Sequence, residues 1–124
     1  MPEATTAKTI ALSRIAHVRS GDKGNHANIG AIAYSQAGYE FLREELTAQL
    51  VADYFAGLRP SRVVRYELPR LWALNFVLYD ALAGGASQSL RLDTQGKLLS
   101  TALEELQLPE PKGLETMLRN SEVL

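Results

Sequence analysis

The stretch Ser20-Gly21-Asp22-Lys23-Gly24-Asn25-His26-Ala27-Asn28 concentrates residue types that can do chemistry. Glycines let successive backbone N–H groups point the same way and form an anion nest. Lys23 adds a positive charge, and Ser20, Asn25 and Asn28 add hydrogen-bonding groups. Such a segment could hold a phosphate or a carboxylate. The alternative is a glycine-rich connection between two strands, with the Asp and Asn side chains bonding their own backbone. The spacing is not that of a GxxxxGK[ST] phosphate loop, because Gly21 to Lys23 is too short and no helix is expected to open after it.

His17 and His26 are the two histidines, and imidazole can act as acid or base near neutral pH. Asp22 and His26 are the candidate catalytic pair. Ser20, Asp22 and His26 supply the residue types of a triad, but types alone do not make one without geometry. A metal site would need further ligands such as Asp22, Asp80 or Asp93 brought together by the fold. No metal-type spacing is present, and none is expected. Arg91 could clamp an anion bidentately, or pair with Asp93 in solvent. Asn75 stands in an otherwise apolar run. A buried amide must find partners, so it either braces a neighbouring segment or reaches a ligand.

These groups need elements to position them. Residues 1–8 read as a loose arm. Residues 9–19 read as a strand, residues 20–28 as a loop and residues 29–34 as a small-residue strand in which Gly30 marks close backbone approach or a bulge. Gln36 to Glu45 follows as a short polar helix. Thr47 caps a second, with Leu50, Val51, Tyr54, Phe55 and Leu58 on one face. Residues 62–68 form a third strand, ended by Pro69. Leu71, Leu74, Leu78 and Leu82 predict a helix, and a buried strand at Asn75 to Tyr79 is the competing reading. Residues 88–92 read as a fourth strand. Leu98, Leu99, Ala102, Leu103 and Leu106 mark a last amphipathic helix. Residues 107–124 are expected to be a tail packed on the surface or on a partner. Four strands with helices on one face make an α+β two-layer sandwich. One domain is expected, with its core at about residues 9–106.

Composition narrows the function. The chain has 124 residues, 46% of them hydrophobic, enough for one core. Lys+Arg is 13 and Asp+Glu is 14, so the basic excess of a nucleic-acid binder is missing. There is no cysteine, which excludes disulfides, thiolate catalysis and Cys-held metals or clusters. No apolar run approaches the roughly 18–20 residues of a spanning helix, and the N-terminus does not read as a secretory signal. The expectation is a cytoplasmic protein with no membrane and no nucleic-acid partner.

Three blocks then carry a resemblance. They are Ser20 to Asn25 with Ala27 to Gly30, Tyr66 to Pro69 with Ala73 to Leu78, and Gly84-Gly85 with Ser89 to Asp93 and Gln95 to Lys97. In this order and spacing, from about Ile15 to Leu106, the chain resembles the small ferredoxin-like C-terminal domain of the acyclic terpene utilisation protein AtuA and its relatives. The resemblance implies a ferredoxin-like fold and a link to the breakdown of acyclic terpenoids carried as coenzyme A thioesters. It also implies a larger AtuA-like domain, here to be supplied as a separately encoded subunit. The blocks suggest one site at an end of the sheet. Ser20, Gly21, Lys23, Gly24, Asn25, Asn28, Asn75 and Arg91 would bind an anion such as an acyl-CoA or a carboxylate. No cofactor is implied. The alternative is a non-catalytic, self-assembling binding module, because an uncovered sheet face or edge favours a homo-oligomer.

Overall fold

The computed structural model describes residues 8–81 and 97–119. Strand β1 (Thr9–Ala11) leads through a 3-10 turn, Leu12–Arg14, into β2 (Ala16–Lys23), which is followed by β3 (His26–Ala33). Two helices follow, α1 (Gln36–Glu45) and α2 (Ala48–Tyr54). Strands β4 (Arg62–Leu68) and β5 (Ala73–Tyr79) come next, then α3 (Lys97–Glu104) and β6 (Gln107–Pro109). The main sheet has the order β2-β3-β5-β4, and every neighbouring pair is antiparallel. A ferredoxin-like chain runs β-α-β-β-α-β. Written as a ring and cut before its last strand, that order becomes β-β-α-β-β-α. The main sheet follows it here, with the pair α1–α2 in place of the first helix.

Each element has a local cause. Ser35 caps α1, its hydroxyl accepting from Gly38 N–H over 3.1 Å, and Thr47 caps α2 in the same way from Leu50 N–H at 3.1 Å. Strict alternation builds the sheet. Val18, Ile29, Ala31, Leu74, Phe76 and Leu78 face inward and are buried. The helices close over that face through Leu42, Val51, Leu99 and Leu103. Tyr54 ties α2 to α3, its hydroxyl donating to the Ala102 carbonyl at 2.6 Å. Arg65 reaches from β4 beneath the end of α1 and donates to the Arg43 and Leu46 carbonyls, both at 2.9 Å. This satisfies carbonyls that a helix end leaves open. Tyr39 is buried with its hydroxyl unpartnered among the described residues. Burial first, and the Glu67 charge second, push its phenol above the ordinary 10.0.

Several expectations need correction. Residues 20–28 are not a loop: β2 and β3 pair without a break from Ala16↔Ala33 to Lys23↔His26. Only Gly24 and Asn25 turn the chain. Gly24 has φ of +62°, and Asn25 is not in the positive region, the arrangement of a two-residue II′ hairpin. The helix expected over Leu71 to Leu82 is instead a 3-10 turn, Pro69–Leu71, followed by strand β5. The reversal happens at Trp72, whose φ is +55°, and the competing strand reading at Asn75 to Tyr79 is the observed one. The single strand expected over residues 9–19 is two, β1 and β2, on different sheets. The beginning of the expected tail is β6, paired to β1, and Leu108 and Met117 are buried in the core. The strand expected at 88–92 and the arm at 1–7 lie outside the described residues.

Candidate functional site on the open sheet face

Alternation sends one face of the sheet to the core and leaves the other without a described helix upon it. The register arranges this outer face in rows running β2, β3, β5, β4. One row reads Gly21, Asn28, Val77, Val64, and the next reads Arg19, Gly30, Asn75, Tyr66. The two glycines stand where side chains would otherwise cover the asparagines. A Cβ at Gly21 would meet Asn28 Oδ1 at 3.3 Å, and a Cβ at Gly30 would meet Asn75 Oδ1 at 3.7 Å. Their absence leaves a recess of about 240 Å³ lined by Arg19, Ser20, Gly21, Asn28, Gly30 and Asn75 together with Ile32. Neither asparagine amide nor the Arg19 guanidinium has a hydrogen-bond or ion-pair partner among the described residues.

A second recess, also about 240 Å³, adjoins the first through Asn28. Lys23, His26, Tyr79 and Asp22 contribute to its walls. Its far wall is a stack. The Arg62 guanidinium lies 4.5 Å from the Tyr79 ring centroid, and His26 meets the same ring edge-on with centroids 5.0 Å apart. His26 Nδ1 accepts the backbone N–H of Asp80 at 3.0 Å. Asp80 is itself held in the left-handed region, φ +62°, by a 2.6 Å hydrogen bond from the Ser61 hydroxyl to its carboxylate. A lone pair on Nδ1 places the proton of the neutral ring on Nε2. The 3.8 Å approach of Nδ1 to Asp80 Oδ1 is then a near neighbour, the N–H bond being the shorter and better-defined contact.

The candidates from the sequence therefore divide. Gly21, Lys23, Asn28 and Asn75 share the outer face, with His26 at its edge. Asp22 pairs in register with the inward-facing Ala27, and the structure gives no contact between Asp22 and His26. Ser20 also points inward, and its hydroxyl accepts the Ser100 N–H of α3 at 3.1 Å. Gly24 and Asn25 form the hairpin turn. Arg91 lies outside the described residues. Among the described residues no cluster of three His, Asp or Glu side chains is placed to hold a metal. Reading residues 20–28 as a loop concealed Arg19 and the Arg62–Tyr79 stack. Two-residue alternation through Arg19, Gly21 and Lys23 was the signal that could have found the first.

The family model of the AtuA ferredoxin-like domain matches residues 10–109. The chain belongs to this family. The matched segment runs from β1 to β6 and so contains the four described strands of the main sheet and the three described helices. No curated protein and no solved structure gives a significant match. No described helix of the domain is long and apolar enough to cross a membrane.

Proposed function

We propose that this AtuA ferredoxin-like domain is an accessory binding subunit of an AtuA-type system. In this reading it works in the cytoplasm, in the breakdown of acyclic terpenoids as acyl-CoA thioesters, beside a large AtuA-like partner. Its contribution is an anion site on the open sheet face. The observation that carries the reading is the clearing of that face at Gly21 and Gly30, over two asparagine amides and Arg19 that lack partners among the described residues. A carboxylate or phosphate there would meet the Arg19 guanidinium, and charge-assisted bonds of that kind are the strong ones. Asn28 and Asn75 turn their Oδ1 atoms to the cleared space, so each amide would rotate to donate to the anion. Lys23 in the adjoining recess would extend the field along a longer ligand. The pairing of candidate catalytic groups is missing, so binding is favoured over independent catalysis.

The test is thermal denaturation of the whole chain with free CoA, acyl-CoA thioesters, phosphate and small carboxylates, on the natural protein and on Arg19→Ala and Asn75→Ala. Ligand binding to the native state raises the melting temperature by mass action. A rise that both substitutions remove supports the site. No rise with any of these compounds removes the anion site from the reading. Capture from the native host would then decide whether a large AtuA-like chain binds this face.

A further inference from the structure

Strand β4 is an edge strand of the sheet formed by the described residues. It is seven residues long and pairs residue by residue with β5, from Arg62↔Tyr79 to Leu68↔Ala73, without a bulge. It has no second strand neighbour among the described residues. Natural edges are blunted by charged side chains, proline, bulges or cover. Within β4 there is no lysine and no proline, and its inner-face charges, Arg65 and Glu67, are of opposite sign and already paired with each other. Four of the five exposed large apolar side chains among the described residues fall on it and just after it, Tyr66 at 47%, Leu68 at 40%, Leu71 at 64% and Trp72 at 39%; the fifth, Tyr54, is on α2. The opposite edge, β2, carries Arg19, Asp22 and Lys23 and none of that apolar surface.

We propose that β4 pairs antiparallel with β4 of a second copy, about a twofold axis through Tyr66, to make a continuous eight-stranded sheet. The sequence of the strand selects this register. In an antiparallel pair, directly opposed residues share a face. A twofold axis through Tyr66 sets Arg65 opposite Glu67 of the second copy, twice. The same axis sets Val64 opposite Leu68 of the second copy, and Tyr66 opposite itself. Moving the axis one residue back opposes Arg65 to Arg65. Moving it one residue forward opposes Glu67 to Glu67. Like charges directly opposed are destabilising and unlike charges stabilising. Arg65 is bonded within its own chain. Two of its bonds go to carbonyls at the end of α1, and its Nη2 donates to Glu67 of its own chain at 2.8 Å. Pairing would close an alternating square of two arginines and two glutamates. The inference stands independently of the anion site.

The natural absence of cysteine makes the test direct. The full chain is studied by sedimentation equilibrium, and then as single-cysteine variants under mild oxidation. Opposed Cβ atoms of an antiparallel pair stand about 4.5–5.5 Å apart, within reach of a disulfide after slight adjustment. The expected result is a dimer in which Tyr66→Cys crosslinks to itself. Val64→Cys and Leu68→Cys should crosslink to each other in a mixture but not each alone. Glu67→Arg, folded by circular dichroism, should weaken the dimer at least about tenfold. A monomer at concentrations of about 100 μM, well above a Kd of a stable pair, overturns the proposal. So does a dimer in which Tyr66→Cys fails to crosslink, or in which Val64→Cys crosslinks to itself as readily.

Discussion

The backbone N–H of Asp80 donates to Nδ1 of His26 across 3.0 Å, so the geometry of β5's end dictates the state of a side chain at the start of β3. The neutral ring must carry its proton on Nε2. In a long-range proton–nitrogen correlation spectrum of the neutral ring, His26 is expected to give the pattern of the Nε2–H form. A pattern with the proton on Nδ1 would show that the Asp80 bond does not persist in solution.

Ser20 serves α3. Ser100 is the fourth residue of that helix, and the first four N–H groups of a helix lack partners within it. Ser20 supplies one from a strand eighty positions away. Ser20→Ala is expected to lower stability to urea by about 1 kcal/mol, while any anion-induced rise in melting temperature is retained. Loss of that rise with unchanged stability would instead make Ser20 a ligand contact.

Two glycines give opposite expectations. Gly24 at φ +62° occupies a region that costs an L-residue roughly 1–2 kcal/mol, so Gly24→Ala should lower the urea midpoint. Gly30 has no positive φ, and its nearest Cβ contact would be 3.7 Å. Gly30→Ala should fold with stability changed by no more than about 0.5 kcal/mol. Its added methyl nevertheless enters the recess beneath Asn75, and should shrink the melting-temperature rise with the bound anion.

Tyr39 offers a pH test with a definite sign. Its folded-state phenol lies above 10.0 because of burial and then of Glu67. The native state therefore holds this proton longer than the unfolded chain. Its contribution to stability is complete below 10.0 and is lost as pH rises through the folded value. Tyr39→Phe also removes a buried hydroxyl with no partner among the described residues. The variant is expected to be as stable as the natural protein near neutrality, or more stable by up to about 1 kcal/mol. It should also lose less stability above 10.0 than the natural protein does. Stability curves from urea titrations at several pH values check both parts.

Where local pattern and final environment agreed, the sequence could be read directly. Arg62 to Leu68, β-branched and bounded by Pro60 and Pro69, is β4 to the residue. Gln36 to Glu45 is α1 as expected, and Thr47 caps α2 as expected. Leu71, Leu74 and Leu78 misled because their spacing fits a helix, while Leu74, Phe76 and Leu78 also alternate as one side of a strand. Both patterns coexist in a short apolar run, and only burial on the sheet decides between them. The glycines and Asx residues from 20 to 28 suggested a loop by type. Gly21 and Asn28 are outer-face strand positions, where no described helix demands an apolar side chain, Asp22 is also within a strand, and only Gly24 and Asn25 turn the chain. That misreading hid which of these residues share a face. The pairing of β1 with β6 left no local trace, since it joins residues nearly a hundred positions apart.

That pairing has a mechanical meaning. It consists of three rungs, Thr9↔Pro109, Ile10↔Leu108 and Ala11↔Gln107, with a 2.8 Å hydrogen bond from Thr9 Oγ1 to Gln107 Oε1. The strands are antiparallel, so the chain leaves them on the same side, at Thr9 and Pro109. Tension along the polypeptide would first have to free residues 110–119, whose Met117 is buried in the core, and would then enter at that rung and peel the strands apart in succession, rather than shear all three together. The clasp would yield before force reached the four-stranded sheet, making it a mechanical fuse at the neck of the domain.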